Sequence, residues 1–402
     1  MALYVPYPCV KFLIPLLILA TPLHAKLLAT FHTTQGDVVV ELQYDKTPQT
    51  VANFITLAQA TRTRIDPLTG AVIRKPLYSG EKFFRVVNDP GFKIAQTGSG
   101  TGINSGGPGY TFRDEFHVDL KHVPYVLAMA NTGDVHDNGS QIYLTGGVSI
   151  PGLDNKHTVF GLITDSPSRV VIDAIMAAGG NATTINNVTF ERTDAAAQAF
   201  DEQAQKLPIC SGIAGELEVS LGVETLFQFA DSQPGGSGFQ AFRSVDLQSW
   251  NKLGEIYQVA GQDISRPIKL DSATLSRAFY NVSLVSYPDA LVQATLASRT
   301  LVVNVNGLRT LSFVFDATGN SGTFTDSSAP AATGLITGAS SALEEPYKVR
   351  WFIDVGPDDS FAFDMILNKE TPAGIEGTHK SYEWNGSAYG FIGSGTLTLT
   401  KP

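Results

Sequence analysis

The stretch EKFFRVV at residues 81–87 places one permanently charged side chain, Arg85, between two phenylalanines and two valines. A strand of this composition is expected to bury at least one face, and a buried guanidinium is costly unless a polar or anionic group meets it. Arginine keeps its proton and carries several N–H donors in a rigid fork. Arg85 therefore either forms a structural ion pair, for instance with Asp114 or Glu115, or donates to a reacting atom.

The sequence lacks the common motifs of other enzyme chemistries. No G-x-S-x-G, H-E-x-x-H or C-x-x-C pattern occurs, which argues against common hydrolase, zinc and thiol-redox sites. The glycine-rich residues 99–109 lack the G-x-G-x-x-G spacing of nucleotide-binding loops. Asp114, Glu115 and Asp119 are more typical of a solvated turn than of a metal site. We therefore expect neither a metal nor a cofactor.

Length, composition and charge predict a globular protein with more than one domain. The chain has 402 residues, of which 43% are hydrophobic and 16% are charged, and this length favours two or three domains. The formal net charge is −10, without a long basic run. Because phosphate neutralisation requires clustered Lys and Arg, we expect no nucleic-acid partner.

Residues 1–25 are typical of a cleaved export signal. A lysine precedes an apolar run from Phe12 to about Ala20, and Ala25 is a small residue suited to cleavage. The run is shorter than the roughly 20 residues that span a bilayer. We expect a periplasmic or secreted protein without a membrane span after cleavage. Cys210 would then be its one cysteine, so no internal disulfide is expected.

Hydrophobic periodicity changes along the chain. Alternation predicts a hairpin at the mature start, and helical spacing predicts amphipathic helices within residues 46–60 and 167–179. Beyond Cys210, alternating segments are separated by Gly, Ser, Asn and Asp turns, which predicts a β-sandwich or barrel. The expected domains are 27–195, a linker helix at 196–209, and a β-rich region at 210–402 that is either one domain or two, 210–290 and 291–402.

Five short motifs occur in a fixed order. They are FFRVV at 83–87, GPGYTFRDEF at 107–116, LAMANTG at 127–133, NGSQIYLT at 138–145 and LDNKHTVFG at 153–161. Together they make about residues 27–190 resemble the cyclophilin family of peptidyl-prolyl cis–trans isomerases. The resemblance implies a mainly β protein whose N-terminal domain is a closed eight-stranded antiparallel barrel capped by two helices.

This resemblance implies a reaction without nucleophile, metal or cofactor, with proline-containing polypeptides such as exported or unfolded proteins as substrates. An X–Pro amide rotates over a barrier of about 20 kcal/mol, and rotation returns a lone pair to the prolyl nitrogen. A fixed donor aimed at that nitrogen binds the twisted state better than the planar states. Arg85 matches the family's catalytic arginine, and Gln141 is expected to assist it.

The resemblance also implies a surface that binds the proline ring and the flanking peptide. The residues expected there are Phe92, Ile94, Gln96, Met129, Ala130, Asn131, Thr132, Tyr143, Leu153 and His157. The amides of Gln96 and Gln141 would orient the guanidinium or bind a substrate carbonyl. His157 is equally consistent with a satisfied core histidine.

Three positions depart from the family pattern. Phe84 replaces a frequent histidine, which we interpret as a packing change. Gly152 replaces an aromatic wall, so cyclosporin-like ligands are expected to bind weakly. The segment after Arg85 is long: counting back from GGPGY places Gln96 at the family's glutamine, whereas counting from GF places Ala95 there. We favour Gln96, because an amide has a function at this position.

A second hypothesis assigns little catalysis to the barrel. Gly152 and the irregular segment 88–96 are compatible with a proline-peptide-binding scaffold whose C-terminal region serves adhesion or carbohydrate binding. Trp250, Trp351 and Trp384 could stack on sugars, although such residues are more typical of a β-sandwich core. The combination of Arg85 with Gln141 favours the isomerase.

Overall fold

The computed structural model describes residues 26–212, 225–227, 237–258, 268–270, 279–288, 296–328, 332–355 and 359–401. The export signal predicted at residues 1–25 lies outside them. Within these ranges, no helix has both the length and the apolar character that a membrane crossing requires. The structure is mainly β, as the sequence predicts.

Eight strands of the N-terminal domain form one antiparallel sheet that closes into a barrel. The strands up to residue 192 are β1 (Leu27–Thr33), β2 (Gly36–Leu42), β3 (Arg64–Ile65), β4 (Val72–Ile73), β5 (Arg85–Asp89), β6 (Phe92–Thr97), β7 (Val126–Met129), β8 (Ile142–Thr145), β9 (Val159–Leu162) and β10 (Ile185–Arg192). Strands β3 and β4 pair with each other, and the rest follow the order β10-β1-β2-β9-β7-β8-β6-β5. A bridge between Lys82 and Thr184 joins the two ends of this order. The predicted eight-stranded barrel is confirmed.

Helix α1 (Pro48–Ala58) is stabilised by a distant carboxylate. The Thr47 side chain does not cap it. Instead, Glu115 accepts hydrogen bonds from the backbone amides of Gln49 and Thr50 at 3.1 and 2.8 Å, which satisfies first-turn donors. Glu115 is therefore a helix cap and not the solvated-turn residue expected from the sequence.

An aromatic cluster packs α1 against the sheet. The ring centroid of Phe54 lies 5.5 Å from that of Phe31, 5.1 Å from Tyr78 and 5.7 Å from Phe160. The second predicted helix, α2 (Ser166–Ala178), packs on β2. These contacts make the barrel a stiff support for residues on its surface.

Strand alternation sorts the barrel residues between two apolar clusters on opposite faces, because successive side chains of a strand point in opposite directions. On β8, Ile142 and Leu144 join the main core, whereas Tyr143 joins a second cluster. On β6, Ala95 joins the main core and Ile94 the second cluster. The second apolar cluster comprises Ile94, Leu120, Val126, Ala128, Tyr143, Ile150 and Val159, with Val87, Phe92, Ala130, Val148, Leu153 and Leu162 partly buried against it.

The chain leaves the barrel through a broken helix, which corrects the continuous linker helix expected at 196–209. Helix α3 covers Ala195–Ala199, and a single 3₁₀ turn covers Gln203–Gln205. The guanidinium of Arg192 donates to two carbonyl oxygens at the end of α3, at 3.1 and 2.8 Å. These bonds satisfy terminal carbonyls and end the helix.

The C-terminal region contains a four-stranded sheet and a second closed barrel. Its strands are β11 (Ile209–Gly212), β12 (Thr225–Phe227), β13 (Ser237–Ser244), β14 (Trp250–Gln258), β15 (Ile268–Leu270), β16 (Phe279–Ser286), β17 (Thr300–Val305), β18 (Arg309–Phe315), β19 (Gly322–Asp326), β20 (Ala332–Glu345), β21 (Lys348–Val355), β22 (Ser360–Thr371), β23 (Gly374–Trp384) and β24 (Tyr389–Thr400). The sheet has the order β11-β16-β13-β14, and β17 to β24 form the barrel. Trp351 is 1% exposed in the core, so it cannot stack on a sugar.

The C-terminal region packs directly on the N-terminal domain. The Nε2 atom of His136 donates to the carbonyl of Leu367 at 3.1 Å, and its ring lies 5.0 Å from that of Tyr347. Cys210, on β11, is a free and buried thiol. Burial raises the pKa of Cys210 to about 12, so the thiol stays protonated and unreactive at neutral pH.

Candidate active site

Arg85 is the first residue of β5 and pairs with Gln96 on β6. Its side chain is exposed, so the desolvation cost of a buried guanidinium does not arise. Its Nη1 donates to Gln96 Oε1 at 2.9 Å.

Two glutamines, which we call the glutamine relay, orient the guanidinium. Gln96 Nε2 donates to Gln141 Oε1 at 2.8 Å and to Asn104 Oδ1 at 3.2 Å. Gln141 Nε2 donates in turn to the Gly106 carbonyl at 3.1 Å. Because a guanidinium offers only donors, Arg85 must face the Gln96 oxygen, and this fixes the direction of each later hydrogen bond. The relay thus holds the Arg85 guanidinium in one orientation.

The long segment after Arg85 is a regular hairpin. Its pairing is continuous from Arg85 with Gln96 to a turn at Pro90 and Gly91. The hairpin absorbs the additional residues and keeps Gln96 opposite the arginine. Ala95 is 0% exposed in the main core, so strand alternation places Gln96, and not Ala95, beside Arg85.

The acids considered as ion-pair partners of Arg85 are bound elsewhere. Glu115 caps α1, and Asp114 accepts hydrogen bonds from the His136 amide and from Asn138 Nδ2, both at 2.8 Å. Within the described part of the chain, the Arg85 side chain has one hydrogen bond, to the neutral Gln96 amide. No described carboxylate therefore neutralises the cation.

An apolar surface lies next to the glutamine relay. Tyr143 pairs with Gln96 across β8 and β6 and is 3% exposed. Phe92, Ala130 and Leu153 are partly exposed at the edge of the same second apolar cluster. The structure thus brings Tyr143, Phe92, Ala130 and Leu153 together with Ile94. Ile94 and Phe92 lie on β6, the strand that pairs with the arginine's strand β5.

Met129 differs from its expected position. Its side chain is 0% exposed in the main core, because on β7 the alternation turns Ala128 toward the second cluster and Met129 away from it. This corrects the expectation that Met129 lines the proline pocket. Its carbonyl oxygen instead accepts a hydrogen bond from His157 Nδ1 at 3.1 Å. The His157 ring stands edge-on to Tyr143, with centroids 5.8 Å apart.

Three hydrogen bonds hold the segment Ala130–Thr132 beside the relay. The Ala130 amide donates to the Gln141 carbonyl at 2.9 Å. Asn131 Nδ2 donates to the Lys156 carbonyl at 2.9 Å, and the Thr132 amide donates to Asp137 Oδ2 at 3.1 Å. The segment is consequently a fixed border of the site.

A buried histidine supports the tyrosine from behind. His122 Nδ1 donates to Asp154 Oδ1 at 2.9 Å, which leaves Nε2 of the neutral ring to accept from the Tyr143 hydroxyl at 2.8 Å. Burial lowers the pKa of His122, against the effect of Asp154. Burial also lowers the pKa of His157, whose ring lies 6.4 Å from that of His122.

We expect the free energy of unfolding to fall in mild acid because of His122. Its pKa is lower in the folded protein than in the unfolded chain, so its contribution is complete above the unfolded value near 6.5. Below that pH the unfolded chain binds the extra proton, at a cost of up to about 1.4 kcal/mol per pH unit until the folded pKa is reached. Urea unfolding at a series of pH values measures how the free energy of unfolding depends on pH. This dependence should be weaker in His122→Gln than in the wild type; an equal dependence would contradict this assignment.

Three residues that the geometry places at the site were not predicted from the sequence. Asn104 receives a hydrogen bond from Gln96, and His122 with Asp154 holds Tyr143. Asn104 lies in the glycine-rich segment 99–109, whose composition gives no signal for a role beside Arg85. His122 and Asp154 are 32 residues apart, so their pairing has no local sequence signal.

Comparisons with known proteins agree with this geometry. The family described as cyclophilin type peptidyl-prolyl cis-trans isomerase/CLD matches residues 28–195. A probable peptidyl-prolyl cis-trans isomerase A of Mycobacterium leprae is 46% identical over 156 residues, covering 38% of this chain and 83% of that protein. The chain belongs to this cyclophilin family. Peptidyl-prolyl cis-trans isomerase B of Streptomyces anulatus is 44% identical over 158 residues, covering 39% of this chain and 87% of that protein.

The cyclophilin match includes the whole candidate site. Arg85, the glutamine relay and the residues around Tyr143 all lie between residues 28 and 195. The four-stranded sheet and the second barrel lie beyond the matched residues.

Proposed function

We propose that the cyclophilin domain isomerises X–Pro bonds with Arg85 as the donor to the prolyl nitrogen. The observation that carries the proposal is the hydrogen bond of Arg85 to the glutamine relay beside the second apolar cluster. It supplies an oriented cation next to a surface that suits a proline ring.

The chemistry requires a donor that acts only when the amide twists. In the planar amide the nitrogen lone pair is delocalised and accepts poorly; in the twisted state it is localised. A guanidinium N–H that Gln96 holds in place gains a hydrogen bond only in the twisted state. This interaction stabilises the transition state over both ground states, without covalent change.

The relay contributes orientation and no charge. Gln96→Leu should leave Arg85 charged but free to rotate, so we expect the kcat for a short X–Pro peptide to fall about tenfold, with a smaller change in KM. Gln96→Glu is a separate test of charge, because it still accepts from Arg85 but adds an anion and removes the donor to Gln141 Oε1. If Gln96→Leu has wild-type kcat, the relay does not orient the arginine.

The first test is acceleration of cis–trans exchange by the full chain. Uncatalysed exchange takes about 10–100 s at 25 °C, so modest catalysis is measurable. We expect faster exchange at substoichiometric protein. A folded protein that binds the peptide without accelerating exchange would favour the alternative, a binding scaffold. The regular β5–β6 hairpin removes one of the two features that motivated that alternative, and Gly152 remains.

Gly152 offers a separate test of ligand binding. It is exposed, and a Cβ atom added there would meet nothing within 4 Å. We propose that the missing aromatic wall weakens cyclosporin-like ligands. Gly152→Trp should bind cyclosporin about tenfold more tightly by calorimetry, since an aromatic ring adds a large apolar contact. Equal affinity in Gly152→Ala and Gly152→Trp would contradict this role.

We propose that the protein is exported, on the pattern of residues 1–25. The backbone nitrogen of Lys26, which would follow the cleavage point, binds Asp194 at 2.7 Å, and β1 starts at the next residue. Cleavage after Ala25 would therefore leave β1 intact. N-terminal sequencing of the protein from its native cells should begin at Lys26; retention of residues 1–25 would contradict export by this signal.

A further inference from the structure

A cavity of about 750 Å³ lies beside the glutamine relay and is shared between the cyclophilin domain and the C-terminal sheet. This volume is within the usual range of binding sites, about 300–1,000 Å³. Gln96 and Gln141, which connect it to Arg85, line the cavity from the cyclophilin domain. Gln240, Phe242 and Lys252 line it from the C-terminal sheet. We call it the composite groove.

The wall formed by the C-terminal sheet is held in register by hydrogen bonds. Gln240 Nε2 on β13 donates to the Gly109 carbonyl at 2.6 Å. Asn281 and Ser283 on β16 donate to the carbonyls of Thr69 and Gly70, each at 2.7 Å. These three hydrogen bonds place β13 and its neighbour β16 on the loops that border the groove.

Phe242 packs closely against the loop at Gly70 and completes the wall of the groove formed by the C-terminal sheet. A Cβ atom added at Gly70 would lie 2.3 Å from the Phe242 ring, and Gly70 has a φ of +72°. Glycine at this position therefore lets the ring approach the loop backbone. Leu68 and Ile103 also line the groove and are 58% and 61% exposed, so its rim is apolar.

The charges in the groove are separated. Lys252 lies on β14 in the C-terminal wall, whereas Asp137 lies near Thr132, to which it is hydrogen-bonded. An acidic side chain would be repelled by Asp137 beside Thr132 and attracted by Lys252 at the C-terminal wall. The same Gln96 and Gln141 serve the groove and Arg85, so the groove is continuous with the site that receives the X–Pro bond.

We propose that the composite groove binds the flank of the proline-containing peptide and that Lys252 selects an acidic side chain several residues from the proline. The proposal rests on the proposed isomerase function for its occupant. It gives the C-terminal region a direct part in substrate choice.

The test uses the full chain and peptides with one X–Pro bond and one Glu, placed at successive positions on either side of the proline. Each peptide is compared with its Gln counterpart by kcat/KM for isomerisation and by the Kd from fluorescence anisotropy. We expect one register in which Glu improves both about twofold to fivefold, as for a partly exposed ion pair. The preference should vanish in about 1 M salt.

Charge reversal makes the test specific. Lys252→Glu should turn the preference toward a Lys peptide in the same register. The control is Lys75→Glu, since Lys75 is exposed and lies outside the groove; this variant should keep the wild-type preference. If Lys252→Glu retains the wild-type preference, or the wild type has none, the groove proposal is overturned even when short peptides are isomerised. If no peptide is isomerised but anisotropy shows the reversal, the proposed function fails and the groove stands.

Discussion

Arg85→Ala is expected to lower kcat/KM for a short X–Pro peptide by about 10²–10³-fold, the usual effect of removing one transition-state donor. The side chain is exposed and its described hydrogen bond is to one neutral amide. Its loss should therefore change the free energy of unfolding by less than about 0.5 kcal/mol. Arg85→Ala should therefore lose activity and keep nearly the wild-type stability.

Two further arginine variants make this result specific. Arg85→Lys keeps the charge but loses the planar fork that binds Gln96 and the substrate together, so we expect activity between those of wild type and Arg85→Ala. Arg74 is exposed and binds two carbonyl oxygens away from the site. Arg74→Ala should isomerise the peptide as the wild type does. Equal activity of Arg85→Ala and wild type would remove Arg85 from the mechanism.

Gly98→Ala is expected to reduce both stability and activity. Gly98 has a φ of +86°, and a Cβ there would lie 2.5 Å from the Ser140 carbonyl oxygen and 2.8 Å from the Tyr78 ring. The backbone conformation alone costs about 1–3 kcal/mol, and the clash moves Ser140. Since Ser140 precedes Gln141, the relay should lose its alignment and kcat should fall about tenfold or more.

A second glycine separates strain from displacement. Gly386 has a similar φ of +92°, but a Cβ there meets nothing within 4 Å. Gly386→Ala should lose stability through strain alone and keep wild-type kcat. Urea unfolding and the exchange assay, run on both variants, measure the two effects. If Gly98→Ala matches Gly386→Ala in both assays, the contact with Ser140 does not support the relay.

The barrel and the central residues of the site were predictable from the order of short motifs. Strand alternation could have supplied more. On β6 it distinguishes Gln96 from Ala95, and on β7 it would have excluded Met129, because its neighbour Ala128 faces the second cluster. The alternation of side chains between the two faces of a strand is a local property, so the facing of these residues relative to their neighbours could be read from the sequence.

Other features depend on contacts that no local pattern encodes. Glu115 caps a helix more than sixty residues earlier in the chain, and His122 pairs with Asp154 across 32 residues. The C-terminal wall of the groove arises from Gln240 and Phe242, which belong to a different sheet. Such contacts appear only when the packing of separate elements is known.

Peptide affinity and on-protein exchange in Arg85→Ala test the central claim most directly. Line-shape analysis of a titrated X–Pro peptide by NMR yields both the Kd and the exchange rate of the bound peptide. We predict a Kd within about twofold of wild type and an exchange rate lower by about 10²-fold or more, because the arginine interacts with the twisted state. An equal loss in affinity and in exchange would show that Arg85 binds the ground state, and would contradict the proposed mechanism.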